Sequence, residues 1–499
     1  MMKMDEFMIQ YAFLFTLFFA WFLTKKLFMP ITKKTLPPSP PKLPIIGNLH
    51  QLGSLPHRSL HLLAQKHGPL MLLHFGSTPV LVVSSAHAAR ECKAHDLDLA
   101  YRPKLQIVEK MYYNMKSLVS SPYGEYWKQA RSIVVHQLLS SKKVQSFNEI
   151  MNEEGAFLMN KIKESSLSLS PVNLSHMFSS LSNNVTCRSA FGRKYTETEV
   201  GKKFVRVISE GQELLTNLSI GEFIPWLAWI NKLNGLNYRT ETLLKEGDKF
   251  LDELIQERLS EKRHGSKENF LDILLHIYKD NTAGASIDMV GVKAIIKDIF
   301  GAGTETTSAS LEWVMTELFR HPTVMKKLQN EVREILQGKQ EITFDDLERM
   351  HYLKAVIKET LRYHPPVPLI PREAGKDVKI MGYDIATGTI VLVNALAIGR
   401  DPAFWAEPEK FEPERFLNSS MDFKGLHFEY IPFGSGRRIC PGISFAMALI
   451  ELVLSNLLFK FDWELPDGAK GENLDTTELR GLVIGRKNPL IAVAVPRDS

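Results

Sequence analysis

Hydrophobic and polar positions fall into three kinds of pattern along the chain. Residues 7–23 (FMIQYAFLFTLFFAWFL) form an uncharged apolar run of 17 residues, at the lower limit for crossing a bilayer core. Across residues 147–275 apolar positions recur mostly at helical spacing, with a break at residues 221–226 (GEFIPW). The longest helical run of the body covers residues 289–320, and shorter ones cover 354–363, stopped by Pro365 and Pro366, and 443–458. Residues 69–85 (PLMLLHFGSTPVLVVSS) read as two apolar runs separated by Gly-Ser-Thr-Pro, which predicts a β-hairpin. Further strands are expected around residues 379–393, with a hairpin-like C-terminus at 476–495 and a loop at 101–121. The pattern predicts a mostly α protein with a smaller β-rich part. No linker composition divides the chain after about residue 48, so residues 48–499 are expected to form one large unit.

Composition narrows the class. The chain has 499 residues, and 61 basic against 56 acidic side chains leave a charge of only +5, too weak for a nucleic-acid binder. Three cysteines (Cys92, Cys187, Cys440) make no disulfide framework. Lys25, Lys26, Lys33 and Lys34 follow the first apolar run, and no A-x-A-like cleavage site does. An uncleaved membrane anchor over residues 1–30 is therefore expected, with its basic flank and the main body on the cytoplasmic side. The asparagines of four N-x-[ST] sequons (Asn173, Asn184, Asn217, Asn418) would then stay unmodified. Residues 36–44 (LPPSPPKLP) are expected to be a semi-rigid spacer within a hinge over 31–47. His57 and His61 lack a third ligand nearby, so they are expected at or near the surface, not around zinc.

The candidate chemistry lies in residues 432–442 (PFGSGRRICPG), a tight loop running into an apolar helix. Its glycines permit a sharp turn, and Pro441 suits the first helical position. The positive end of the helix would then favour a thiolate at Cys440. A lone cysteine usually just packs. With Phe433 on one side and Arg438 two residues back, this one suits an axial ligand to haem iron. On that reading Arg438 pairs with a haem propionate and Ala446 leaves room for the macrocycle. Residues 301–307 (GAGTETT) place two glycines and three threonines inside the longest helix, against local propensity. Read as a phosphate cradle the stretch lacks the preceding strand such a loop needs. With haem present, Glu305 beside Thr306 on a locally widened helix could hold a water and relay protons to bound oxygen.

Phe433, Gly436, Arg438, Cys440 and Gly442 match the haem-binding signature of the cytochrome P450 family of haem-thiolate monooxygenases, which the chain resembles over about residues 30–499. Ala302, Gly303, Glu305, Thr306 and Thr307 match its oxygen-activating signature, which makes Glu305 and Thr306 the catalytic pair. The resemblance implies that Trp127, Arg131 and Arg372 also bind haem propionates. It implies that Glu359, Arg362 and Arg415 (of Pro413-Glu414-Arg415-Phe416) form a structural charge cluster. It further implies that residues 101–121 cover the substrate pocket, and that Ala302, Val367, Ile370 and Val483 line it. In detail the chain resembles plant microsomal enzymes of family seventy-one, subfamily A, through residues 36–44, 223–230, 422–429 and 445–449. Such enzymes include terpenoid hydroxylases, furanocoumarin-forming enzymes and aldoxime dehydratases. The implied protein is a monomer of the endoplasmic-reticulum membrane with heme b held by Cys440. Neither a Walker loop nor a flavin fingerprint occurs, so electrons would come from NADPH through a separate reductase, with O2 as co-substrate. It would hydroxylate or epoxidise a small hydrophobic metabolite, a terpenoid before a coumarin or phenylpropanoid. Aldoxime dehydration is the alternative, disfavoured by the intact Glu305-Thr306 pair.

Overall fold

The structure, a computed structural model, describes residue 16 and residues 34–497, except 169, 196–198, 217–219, 261–267, 281–286 and 340. Apart from Thr16, the expected anchor over residues 7–23 lies outside the described residues. Described helices of eight residues or more are α1 (Pro56–His67), α2 (Ala86–Ala94), α3 (Glu125–Ser132), α4 (Asn148–Ser166), α5 (Leu174–Phe191) and α6 (Glu199–Thr216). They continue with α7 (Leu236–Ser260), α8 (Phe270–Asp280), α9 (Met289–Arg320), α10 (Pro322–Ile335), α11 (His351–Tyr363) and α12 (Ile443–Lys460). Strands of three or more residues are β1 (Leu70–Phe75), β2 (Thr78–Val83), β3 (Leu369–Glu373), β4 (Val378–Ile380), β5 (Tyr383–Ile385), β6 (Ile390–Asn394), β7 (Phe461–Glu464) and β8 (Ile491–Pro496). The fold is mostly helical with a smaller β part.

The larger sheet runs β1-β2-β6-β3, with β2 and β6 parallel and the outer pairs antiparallel. Its first two strands are apolar at almost every position because both faces are covered. Met71, Leu73, Val80 and Val82 enter one core cluster, whereas Leu70, Leu81 and Val83 enter another. The second strand starts at Thr78, so the connection is only Gly76-Ser77, shorter than the expected four residues. Gly76 has φ +57°, and a Cβ there would stand 2.1 Å from the Phe223 carbonyl. The expected C-terminal hairpin reduces to a single bridge, Glu478 to Arg486. The strand that follows, β8, pairs instead with β7 and with residues 172–173.

Helix α9 is the spine. Asp288 caps it by accepting from Gly291 N–H at 2.8 Å, and Leu311, Trp313, Val314, Met315 and Leu318 are buried. Where α9 crosses α5, a Cβ on Gly303 would stand 3.2 Å from Thr186 Oγ1, and Ser182 donates to the Gly303 carbonyl at 3.0 Å. The Thr186 side chain leaves little room for a Cβ at this crossing, which suits a glycine. The widening expected at residues 301–307 is not found, because α9 is continuous α-helix. Hydroxyls bond back to the helix carbonyls instead: Thr306 to Ala302 at 2.6 Å, Ser308 to Glu305 at 3.0 Å and Ser310 to Thr306 at 2.8 Å.

Two further expectations need correction. Pro441 lies outside α12, whose first residue is Ile443 and whose cap position is Gly442. The proline-rich stretch is no free spacer. Pro37 and Pro40 are buried, Pro38 carbonyl accepts from Leu72 N–H at 2.8 Å, and Thr35 carbonyl accepts from Asp384 N–H at 2.7 Å. Prolines lack a donor, yet their carbonyls still bond, and the segment lies along the sheet. Among the described residues α12 is the one helix long and apolar enough to span a membrane, but 56 % of its apolar window is buried inside the protein. It is apolar all round because it is a core helix.

Candidate functional site

The signature loop is built on two left-handed glycines, Gly434 (φ +74°) and Gly436 (φ +68°). Its return brings Cys440 N–H to the Phe433 carbonyl at 3.0 Å, and Gly442 N–H points at Cys440 Sγ from 3.3 Å. Phe433 is half-buried against Phe423, with ring centroids 5.4 Å apart. Burial pushes the Cys440 thiol up, while the Gly442 N–H and the Arg131 charge pull it down. Cys92 and Cys187 are fully buried, and burial pushes both up to about 12. Cys440 alone among the three is partly accessible. Ala446, one turn into α12, is half-buried, and its N–H donates to the Gly442 carbonyl at 2.9 Å.

Around the loop stand four guanidinium groups. Arg438 is buried and donates to the carbonyls of Ala100 (2.8 Å), Leu118 (3.2 Å) and Ser121 (2.5 Å), with its charge 4.3 Å from the Trp127 ring centre. Arg372 is buried, donating to Asp96 Oδ1 at 3.0 Å and to the Ser435 carbonyl at 2.6 Å. Arg102 donates to the Val119 carbonyl at 2.9 Å and also to the Pro371 carbonyl. Arg131 is half-buried and has no hydrogen-bond or ion-pair partner among the described residues. Burial and the neighbouring guanidiniums pull Arg438 down to about 8. Burial and Arg372 pull Arg102 down to about 9. Most acceptors here are neutral carbonyls, and Asp96 is the one carboxylate bonded to the cluster. Such an excess of cationic donors fits a ligand with two carboxylates, beside a sulfur that fits a soft metal centre. Trp127 departs from expectation. Its only donor goes to the Leu118 carbonyl at 3.1 Å, which leaves the ring to stack under Arg438.

On α9 Asp298, Ala302, Glu305 and Thr306 fall on one face at helical spacing, and all four are half-buried or exposed. Burial pushes the Glu305 carboxyl up to about 7, so near neutral pH it can both hold and release a proton. The covering segment is more ordered than a plain loop. A short helix, Gln106–Met111, precedes three consecutive left-handed residues, Tyr113 (φ 49°), Asn114 (φ 55°) and Met115 (φ 67°). Left-handed backbone costs about 1–2 kcal/mol per residue without glycine, and α9 supplies much of the restraint. Asp298 accepts from Leu118 N–H at 2.6 Å, and Lys297 donates to the Met111 carbonyl at 2.6 Å. Tyr126 adds a bond to the Lys116 carbonyl at 2.6 Å. Burial pushes Asp298 up to about 7 against the pull of donors at Leu118, Ser117 and Val119.

The remaining residues are placed as follows. Val367, Ile370 and Val483 are half-buried. Ile370 Cδ1 lies 3.8 Å from where a Cβ on Gly434 would stand, and Ile484 N–H donates to the Pro366 carbonyl at 2.8 Å, which joins the two apolar segments. Glu359 and Arg362 are buried and doubly bonded, at 2.6 and 2.8 Å, with Arg415 3.4 Å from Glu359. His57 is no surface residue: it is buried and lies 2.9 Å from Glu478. Asp96, Arg102 and Asp298 went unnoticed in the sequence. The one signal was at Lys297-Asp298, where charge interrupts an apolar helical run.

A partly accessible cysteine beside a cluster of buried guanidiniums suits a haem-thiolate site. The family model for Cytochrome P450 matches residues 37–493, and the chain belongs to that family of haem-thiolate monooxygenases. It is similar to "Cytochrome P450 736A117" of Prunus mume, 54 % identical over 97 % of this chain and 95 % of the relative. It is similar to "Norfluorocurarine oxidase" of Strychnos sp, 49 % identical over 96 % of both chains. It is also similar to "Tabersonine/lochnericine 19-hydroxylase" of Catharanthus roseus, 50 % identical over 94 % of this chain and 95 % of the relative. A zebra fish cytochrome P450 solved with abiraterone superposes with a TM-score of 0.76, 27 % identical over 89 % of this chain and 99 % of that one.

Proposed function

We propose that the chain is a microsomal monooxygenase that hydroxylates or epoxidises a small hydrophobic plant metabolite, with terpenoids the first class to test and coumarins or phenylpropanoids the next. The observation that carries this reading is Cys440, the one partly accessible cysteine of the three, set among four guanidiniums with a single carboxylate. Heme b fits that donor set. When bound it supplies oxygen chemistry, and a thiolate ligand favours O–O cleavage. Arg102, Arg131, Arg372 and Arg438 would hold its carboxylates, and Cys440 its iron. Ile299, Ala302, Val367, Ile370 and Val483 present apolar surface, which orients an apolar substrate and limits water. Glu305 holds and releases a proton at its carboxyl, and the Thr306 hydroxyl, now bonded to the Ala302 carbonyl, positions the proton's next carrier. Electrons come from NADPH through NADPH–cytochrome P450 reductase. With reductase, NADPH and oxygen, the wild type should add one oxygen atom to its substrate. Thr306→Ala should consume NADPH yet release several-fold more hydrogen peroxide per NADPH. Product formed without NADPH or oxygen, or unaltered coupling in the variant, overturns the respective half of the reading.

The membrane reading draws support from an exposed aromatic face. Trp226 (61 % exposed), Trp229 (56 %) and Leu233 (77 %) stand out on the turns before α7, and Ile45 (62 %) stands out on the proline-rich stretch. The two segments flank one turn of the sheet: Gly47 bridges to Phe75, whose ring meets Phe223 at 5.5 Å. Tryptophan with apolar neighbours suits a bilayer interface. We place the anchor and this face on the endoplasmic-reticulum membrane, with the body a cytosolic monomer. Deleting residues 1–23 should leave part of the protein on membranes, and adding Trp226→Ser and Trp229→Ser should release it. Retention of the triple change on membranes counts against this face.

A further inference from the structure

Asp96 follows α2 by two residues and is 8 % exposed. Its carboxylate accepts from three donors, two of them in the site. Oδ1 accepts from Arg372 at 3.0 Å, and Oδ2 accepts from the Arg437 backbone N–H at 3.0 Å and from Lys93 at 2.8 Å. Arg372 in turn donates to the Ser435 carbonyl at 2.6 Å. Residues 435, 436 and 437 of the signature loop are thus held from one side by a single carboxylate and the arginine it pairs with. Gly436 fits this contact from the other direction. It is left-handed, and a Cβ there would stand 2.3 Å from Asp96 Oδ1, so the carboxylate can reach the loop only because residue 436 has no side chain. Among the four guanidiniums of the cradle, Arg372 is also the one with a carboxylate partner.

We propose that Asp96 is a positioning residue of the thiolate loop, clamping the backbone at Ser435–Arg437 and tempering the Arg372 charge, so that it sets where Cys440 sulfur stands and how positive its surroundings are. The proposal rests on Cys440 being the iron ligand. Asparagine at 96 could still accept from Arg437 N–H, but it would lose the charge that pairs with both Arg372 and Lys93. The loop would then keep the Arg372 bond to the Ser435 carbonyl but lose the carboxylate that pairs with that arginine.

The test uses the full chain loaded with haem. Asp96→Asn should convert its reduced carbon monoxide complex from the thiolate-type to the thiol-type spectrum several-fold faster than wild type. Its reduction potential should move positive, because a negative charge beside the signature loop is gone. Gly436→Ala, whose methyl displaces the carboxylate, should speed the same conversion. In the Gly436→Ala background, Asp96→Ala should add far less than it does alone. If Asp96→Asn does not accumulate, Gly436→Ala decides, and a wild-type conversion rate there overturns the clamp. Wild-type rate and potential in Asp96→Asn, or additive effects in the double variant, also overturn it. A wild-type protein without the thiolate-type spectrum would fail the Cys440 reading itself, and that outcome is distinct.

Discussion

Replacing Cys440 by serine should abolish the thiolate-type spectrum of the reduced carbon monoxide complex, with nothing left to compensate. Serine keeps the loop geometry, since the Gly442 N–H can donate to a hydroxyl where it now faces sulfur at 3.3 Å. What it removes is the soft donor. Cys92 sits in α2 and Cys187 in α5, both buried, with thiols pushed up to about 12, so neither offers a thiolate in its place. The loss is therefore expected to be complete, not partial, while the arginine cradle still retains some haem. The difference spectrum of the reduced protein with carbon monoxide checks this. An unchanged spectrum would mean that another group holds the iron.

Arg362→Leu should have the largest effect on stability. Arg362 is 1 % exposed and Glu359 fully buried. Besides two bonds to that carboxylate, the guanidinium donates to the carbonyls of Gly399 (2.6 Å), Pro408 (2.9 Å) and Lys410 (3.1 Å). It thereby ties α11 to the segment leading towards the signature loop. Removing it leaves a buried carboxylate uncompensated, at a cost of about 3–5 kcal/mol. Arg415, 3.4 Å from Glu359, softens this only in part. Glu359→Gln/Arg362→Leu should lose less than the sum of the single changes. Urea unfolding followed by haem release and circular dichroism measures the difference. A loss below about 1 kcal/mol for Arg362→Leu would mean the pair contributes little beyond an ordinary hydrogen bond.

The parts legible in the sequence were those whose cause is local. Helix α9 ends where the pattern put it because Asp288 caps one end and Pro322 closes the other. The signature loop could be read because its left-handed glycines and the Cys440 N–H bonded to the Phe433 carbonyl form a local turn; the partners of Arg438, more than 300 positions away, could not. What went unread depends on partners far away in the chain. Asp96 meets Arg437 across 341 positions, and His57 meets Glu478 across 421. Neither pairing leaves a trace in spacing or composition. The proline-rich stretch misled for a related reason: its sequence says what its backbone cannot donate, not what its carbonyls will find. The widened helix misled because glycine beside threonine marks either a distorted turn or a tight crossing, and the tight crossing with α5 won.

The carbonyls that satisfy Arg102, Arg438 and Trp127 belong largely to Ala100 and to residues 101–121, the segment expected to roof the substrate. On the proposed haem assignment, prosthetic-group loading and the order of this segment depend on the same hydrogen bonds. Selectivity libraries aimed at positions 117–121 would carry a hidden tax in holoenzyme yield. Diversity placed at Val367, Ile370 and Val483 avoids that tax, and offers the cheaper route by which duplicated copies of such a gene could drift to new substrates while keeping their pigment.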